Sequence, residues 1–116
     1  MSTLQAIRVG VEPMRVVGFA ALAGAAYVSM GTKSLHPTHQ VSIQNSTDSY
    51  VYISLDGVTD HFMIPEYSGF FWDITTNKSF GVGFYLPIGT RFWVKQINGA
   101  PTEGEVSATF IYGADI

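Results

Sequence analysis

Between residues 41 and 62 the chain alternates apolar and polar positions in two short runs, each closed by a polar cluster. Val41 and Ile43 alternate with Ser42 and Gln44, and Val51, Ile53 and Leu55 alternate with Tyr50, Tyr52 and Ser54. A period of two belongs to a strand buried on one face. Two successive strands are therefore predicted, joined by Asn45-Ser46-Thr47-Asp48-Ser49, whose side chains bond their own backbone and favour turns. Asp56-Gly57 closes the second strand with a strong turn signal.

The pattern continues downstream. Phe62 and Ile64 alternate with His61 and Met63 before Pro65, and Phe70-Phe71-Trp72-Asp73-Ile74 reads as an aromatic strand followed by the turn Thr75-Thr76-Asn77-Lys78. Gly81 and Gly83 loosen the segment 79–85, and Leu86-Pro87-Ile88-Gly89-Thr90 is a corner. In residues 91–97 Phe92 and Val94 face away from Trp93 and Lys95. After a turn at 98–104, Val106, Ala108, Phe110 and Tyr112 alternate with Ser107, Thr109 and Ile111 in a last strand. Turn signals roughly every ten residues are what an antiparallel sandwich or small barrel produces.

The N-terminal third is less decided. Residues 1–15, with Arg8, Glu12, Pro13 and Arg15, read as an arm. Residues 16–30, VVGFAALAGAAYVSM, fit two small-residue strands, a helix or a signal-peptide core. As a helix they would rise only about 22 Å, short of a hydrocarbon core of about 30 Å, so a membrane span is not expected. Alanine favours a helix there and Gly18 and Gly24 oppose it. Basic residues before the run match a secretory leader, while Glu12 does not.

Composition adds limits. A chain of 116 residues holds one domain, taken as residues 16–116 behind the arm. Apolar residues are 47% and charged ones 13% of the chain, too few charges to cover a monomer, so part of the apolar surface is expected to meet another protein. The six basic residues are scattered and the formal charge is −3, which disfavours nucleic acid. The absence of cysteine removes disulfides, thiolate metal sites and cysteine nucleophiles together.

Catalytic chemistry is sparse. His36 and His39 lack a third ligand at regular spacing, and Asp56 and Asp60 lack a calcium-loop pattern. Ser54, Asp56 and His61 have no nucleophile-elbow glycines around the serine, and the segment 80–84 lacks the third glycine of a phosphate loop. Asn45-Ser46-Thr47 and Asn77-Lys78-Ser79 fit the glycosylation pattern. Neither an enzyme nor a cofactor is expected. The aromatic content points outward instead. If Val51, Ile53 and Leu55 face the core, Tyr50 and Tyr52 look out, able to anchor a protein interface or stack on sugars; if a second layer covers them, both faces are buried. Candidate interface residues are Tyr50, Tyr52, Phe70, Trp72 and Trp93, with Arg8 and Arg15 of the arm.

One further set of segments carries a resemblance. These are Arg15-Val16-Val17-Gly18-Phe19, Ile43-Gln44-Asn45-Ser46-Thr47-Asp48, residues 53–62, Asp73-Ile74-Thr75-Thr76-Asn77-Lys78, residues 89–95, Ala100-Pro101-Thr102-Glu103-Gly104 and Ile111-Tyr112-Gly113. Together they resemble small virion structural proteins of tailed bacteriophages, over most of the chain from about residue 15. The resemblance implies an all-β, antiparallel, jelly-roll-like sandwich with an extended N-terminal arm, with residues 16–30 as strand or extended chain. It also implies a multi-copy virion subunit, assembled in the host cytoplasm, that cements the capsid lattice or forms part of the neck. Its partners would be the major capsid protein or neck proteins and copies of itself, with no nucleic acid and no membrane. A sugar- or receptor-binding module is the alternative.

Overall fold

Alternation along the chain becomes strand wherever a partner can receive it. The computed structural model describes residues 8–74 and 85–114, which hold β1 (Arg8–Val11), β2 (Arg15–Gly18), β3 (Val28–Ser29), β4 (Gln40–Asn45), β5 (Val51–Ser54), β6 (Phe62–Ile64), β7 (Ser68–Asp73), β8 (Trp93–Gln96) and β9 (Glu105–Ala114). Every pairing is antiparallel. One sheet runs β1-β9-β4-β7, with β2 also on β9, and the other runs β3-β8-β5-β6. Counting β1 and β2 as one interrupted strand, the two four-strand orders are those of a jelly roll. The all-β sandwich expected from the sequence is thus the observed fold.

The core lies between the sheets. Val41, Ile43, Val106, Ala108 and Phe110 of the first sheet meet Val51, Ile53, Ile64 and Val94 of the second, all buried. The rings of Phe92 and Phe110 stack across the gap at 5.6 Å. The strands predicted at 41–45 and 51–55 are both present but lie in different sheets, so the polar residues between them form a crossing rather than a hairpin. Asn45 holds that crossing together. It is buried, its amide donates to the carbonyls of Ser49, Ile64 and Pro65, and its oxygen accepts from the Thr47 N–H and hydroxyl. A side chain so occupied is no glycan acceptor in the folded protein.

Residues 16–30 are neither one helix nor one strand. β2 passes into a 3-10 turn at Phe19–Leu22, which sinks Leu22 into the core, and β3 resumes at Val28. The predicted turn at 75–78, the glycine segment 80–84 and the Asn77 glycosylation triplet lie outside the described residues.

Of residues 1–15, expected as an arm, 1–7 lie outside the described residues and 8–15 are the edge of the first sheet. β1 pairs with residues 111–114 of β9 and β2 with residues 105–108. Between the pairs Val11↔Ile111 and Arg15↔Ala108, three residues face two. That single extra residue is a β-bulge, and it contains Pro13, which has no N–H to offer a ladder. In a regular strand residues 12 and 15 would point to opposite faces. The bulge turns both inward, and Glu12 and Arg15 are buried while Pro13 and Met14 stay exposed.

Candidate functional site

Three surfaces of the sandwich carry groups of interest, and each follows from strand register. The first is the bulge. Arg15 spends its guanidinium on the carbonyls of Pro13, Thr32 and Lys33 and sits 4.9 Å above the ring of Phe110. It approaches Glu12 Oε1 to 2.8 Å as a buried ion pair. Glu12 Oε2 accepts from the Leu35 N–H at 2.9 Å and lies 2.8 Å from His36 Nδ1. Because an ionised carboxylate only accepts, Nδ1 of His36 carries the proton. The His36 ring stacks flat on Tyr112 at 3.6 Å. Burial pushes the Glu12 carboxyl up, but the hydrogen bonds from His36 and Leu35 and the Arg15 charge outweigh it, so its pKa lies below the ordinary value. A shallow groove of about 310 Å³ opens beside this cluster, walled by Met14, Val16 and Leu35. Arg15, expected on a clasping arm, is therefore a buried clamp: four oxygens and a ring face hold it inside.

The second surface is the outer face of the β3-β8-β5-β6 sheet. Tyr52, Lys95 and Met63 share one row across it, as the pairs Tyr52↔Lys95 and Tyr52↔Met63 require. The Lys95 ammonium lies 4.7 Å from the Tyr27 ring centre and 5.5 Å from that of Tyr52, and 3.3 Å from Asp60. Tyr27 donates its hydroxyl to Asp60. Burial and that carboxylate push the Tyr27 phenol up, while the hydrogen bond from Tyr27 holds Asp60 below its usual range. In the next row Trp93 carries Arg91 5.5 Å above its ring and has Gly57 packed against it. The Asp56 carboxylate takes the N–H groups of Thr59 and Val58 and the hydroxyls of Ser54 and Thr59, which hold it well below the carboxylate range. Ser54 is occupied by that turn, and His61 Nδ1 accepts from the Leu55 N–H. Among the described residues no group of three or more His, Cys, Asp and Glu stands in metal-binding array.

The third surface is the outer face of the five-stranded sheet. Register places Val9, Val11 and Val16 of the N-terminal edge, Ser107, Thr109 and Ile111 of β9, Gln40, Ser42 and Gln44 of β4, and Phe71 of β7 on this one side. Its centre bears no charge, and its carboxylates, Asp73 and Glu105, stand toward opposite ends. In β1 the usual pattern is inverted: Val9 is 75% and Val11 59% exposed, whereas Glu12 is buried. Phe71 is 57% exposed in the middle of β7.

The candidate interface residues divide accordingly. Tyr50 is exposed beside β5, and Tyr52 and Trp93 face outward as alternation required, but with intramolecular cations on their rings. Phe70 and Trp72 are not outward: they point between the sheets and form an aromatic cluster with Phe62, centres 4.9 and 5.2 Å from it. The Arg8 backbone lies in β1 opposite Ala114. Sequence reasoning missed Val9, Val11, Val16 and Phe71. For Val9 and Val11 the available signal was the order of apolar and charged positions in 8–12; Val16 and Phe71 are assigned only by strand register.

No family model matches this chain, and no curated protein sequence matches it. Among solved structures, a chain from work on Bacillus endospore appendages, described as a novel family of disulfide-linked pili, is similar at 12% identity. The match covers 97% of this chain and 92% of that one, with a TM-score of 0.49. This chain has no cysteine with which to form such a link.

Proposed function

We propose that this protein is a non-enzymatic structural subunit of a tailed-phage virion, present in many copies and held there through the outer face of its five-stranded sheet. The observation that carries the reading is that face, uncharged at its centre, with Val9, Val11 and Phe71 exposed on it. Burying an exposed Val or Phe is worth about 1.5–3 kcal/mol per side chain, and the face has few charges to desolvate in return. Repetition of such a contact over a symmetric particle turns weak pairs into a stable lattice. The assignment to a virion rests on the sequence resemblance. The partners are the major capsid protein or the neck proteins, together with copies of the chain itself. A cement on the capsid lattice is preferred to a neck ring, because an acidic chain of low charge suits a position away from the DNA channel.

A sugar- or receptor-binding module would use the other face, where Tyr27 and Tyr52 flank Lys95. That reading is weaker, since those rings already hold an internal cation. Quantitative mass spectrometry of purified particles tests the proposal. Hundreds of copies place the chain on the lattice and about a dozen in the neck, whereas its absence from particles overturns the reading.

A further inference from the structure

The outer face of the five-stranded sheet has features that select its occupant. The chain carries a formal charge of −3, so two copies repel unless they meet where carboxylates are absent, and the centre of this face is such a place. Its polar members, Ser42, Thr109, Ser107, Gln40 and Gln44, carry hydroxyls and amides that both donate and accept hydrogen bonds. A surface of that kind is complementary to itself. The inverted alternation of β1, with valines out and Glu12 in, puts apolar side chains where an isolated sandwich would carry polar ones. Size agrees as well. The edge strands β1 and β2 and the ten residues of β9 run roughly 34 Å and the six residues each of β4 and β7 roughly 20 Å, in columns about 4.8 Å apart, so two such faces would bury about 1,000 Å², the least that a specific interface needs.

We propose that this face is closed by the same face of a second copy of the chain, forming a two-fold dimer that is the unit from which the particle is built. The inference rests on the assembly reading above and adds the identity of the first partner. Phe71 and the valine edge supply its apolar contacts, and the Ser42–Thr109 region lies near the two-fold axis, where each residue approaches its own counterpart or its neighbour.

Light scattering of the full chain across a range of concentrations, with the variants Ser42→Lys and Thr109→Glu, tests this. The wild type is expected to be dimeric and each variant alone monomeric, since like charges meet across the axis; an equimolar mixture of the two variants should regain dimers. A monomeric wild type at every concentration overturns the dimer, as does either variant remaining dimeric. Should a variant fail to fold, thiol labelling in an otherwise cysteine-free chain gives the answer. Ser42→Cys should react at least about tenfold more slowly than Met63→Cys on the opposite face under dimer conditions, and equally fast on dilution; equal rates throughout overturn the proposal. A monomer that is nevertheless abundant in particles rejects the dimer and leaves the assembly reading standing. A dimer that is absent from particles does the reverse.

Discussion

The phenol ring of Tyr112 fills the space that a side chain at Gly10 would need. The two residues are partners in the β1–β9 ladder, and a β-carbon on Gly10 would run into the ring. Gly10→Ala therefore displaces Tyr112 and with it the flat stack on His36. Overpacking of this kind costs about 1–3 kcal/mol, read as a lower urea midpoint. Gly18→Ala, on the same edge but with open space above the backbone, should change stability by less than about 0.5 kcal/mol.

Glu12 predicts the response to acid. Its pKa is held below the ordinary 4.5, so the stability it contributes is present above that pH and is lost as pH falls through the lowered value. Glu12→Gln leaves the buried Arg15 without its counter-charge and should cost about 3 kcal/mol at pH 7. Urea unfolding of both proteins from pH 5 to 3 should show the gap between them narrowing as pH falls below the ordinary carboxylate value. A gap that widened on acidification would contradict the assigned pairing.

Asn45 offers a test by charge. In Asn45→Asp the amide that donates to three carbonyls becomes an acceptor facing acceptors. The variant should lose at least about 2 kcal/mol at neutral pH and recover part of it on acidification, because the buried carboxyl prefers its protonated form. Asn45→Ala should show a comparable loss with no recovery at low pH. Thermal melts at pH 7 and pH 4 distinguish them.

Two adjacent aromatics separate interior from exterior. Trp72→Ala removes a ring packed on Phe62 and should cost about 3 kcal/mol, whereas Phe71→Ser, on the exposed side, should change stability by less than about 0.5 kcal/mol. The same Phe71→Ser change should reduce self-association or incorporation into particles. Differential scanning calorimetry together with light scattering reads both effects.

Most strands were legible because their alternation is local: Val41 and Ile43, Val51 and Ile53, and Val106, Ala108 and Phe110 each announce a buried face without reference to any partner. What alternation does not tell is which neighbour a strand takes. The crossing at residues 45–50 was readable as a turn, but its passage from one sheet to the other depends on β9 and β7, which lie well downstream in the chain. At 8–15 the pattern misleads, since an extra residue opposite β9 brings a glutamate and an arginine inward together. In β7, Phe70, Phe71 and Trp72 are alike in apolarity, and only the register with β4 assigns Phe71 to the outside.

Arg8 and Ala114 are opposite one another at the end of the β1–β9 ladder, so the chain enters and leaves the five-stranded sheet side by side. Tension applied between those two points peels β1 away one rung at a time instead of shearing the whole strand. The peeling front meets the bulge after Val11 and there encounters Glu12 and Arg15, tied to Leu35, His36, Thr32 and Lys33. The extra residue at 12–14 thus divides the edge into a segment held by its ladder alone and one anchored as well by buried side chains.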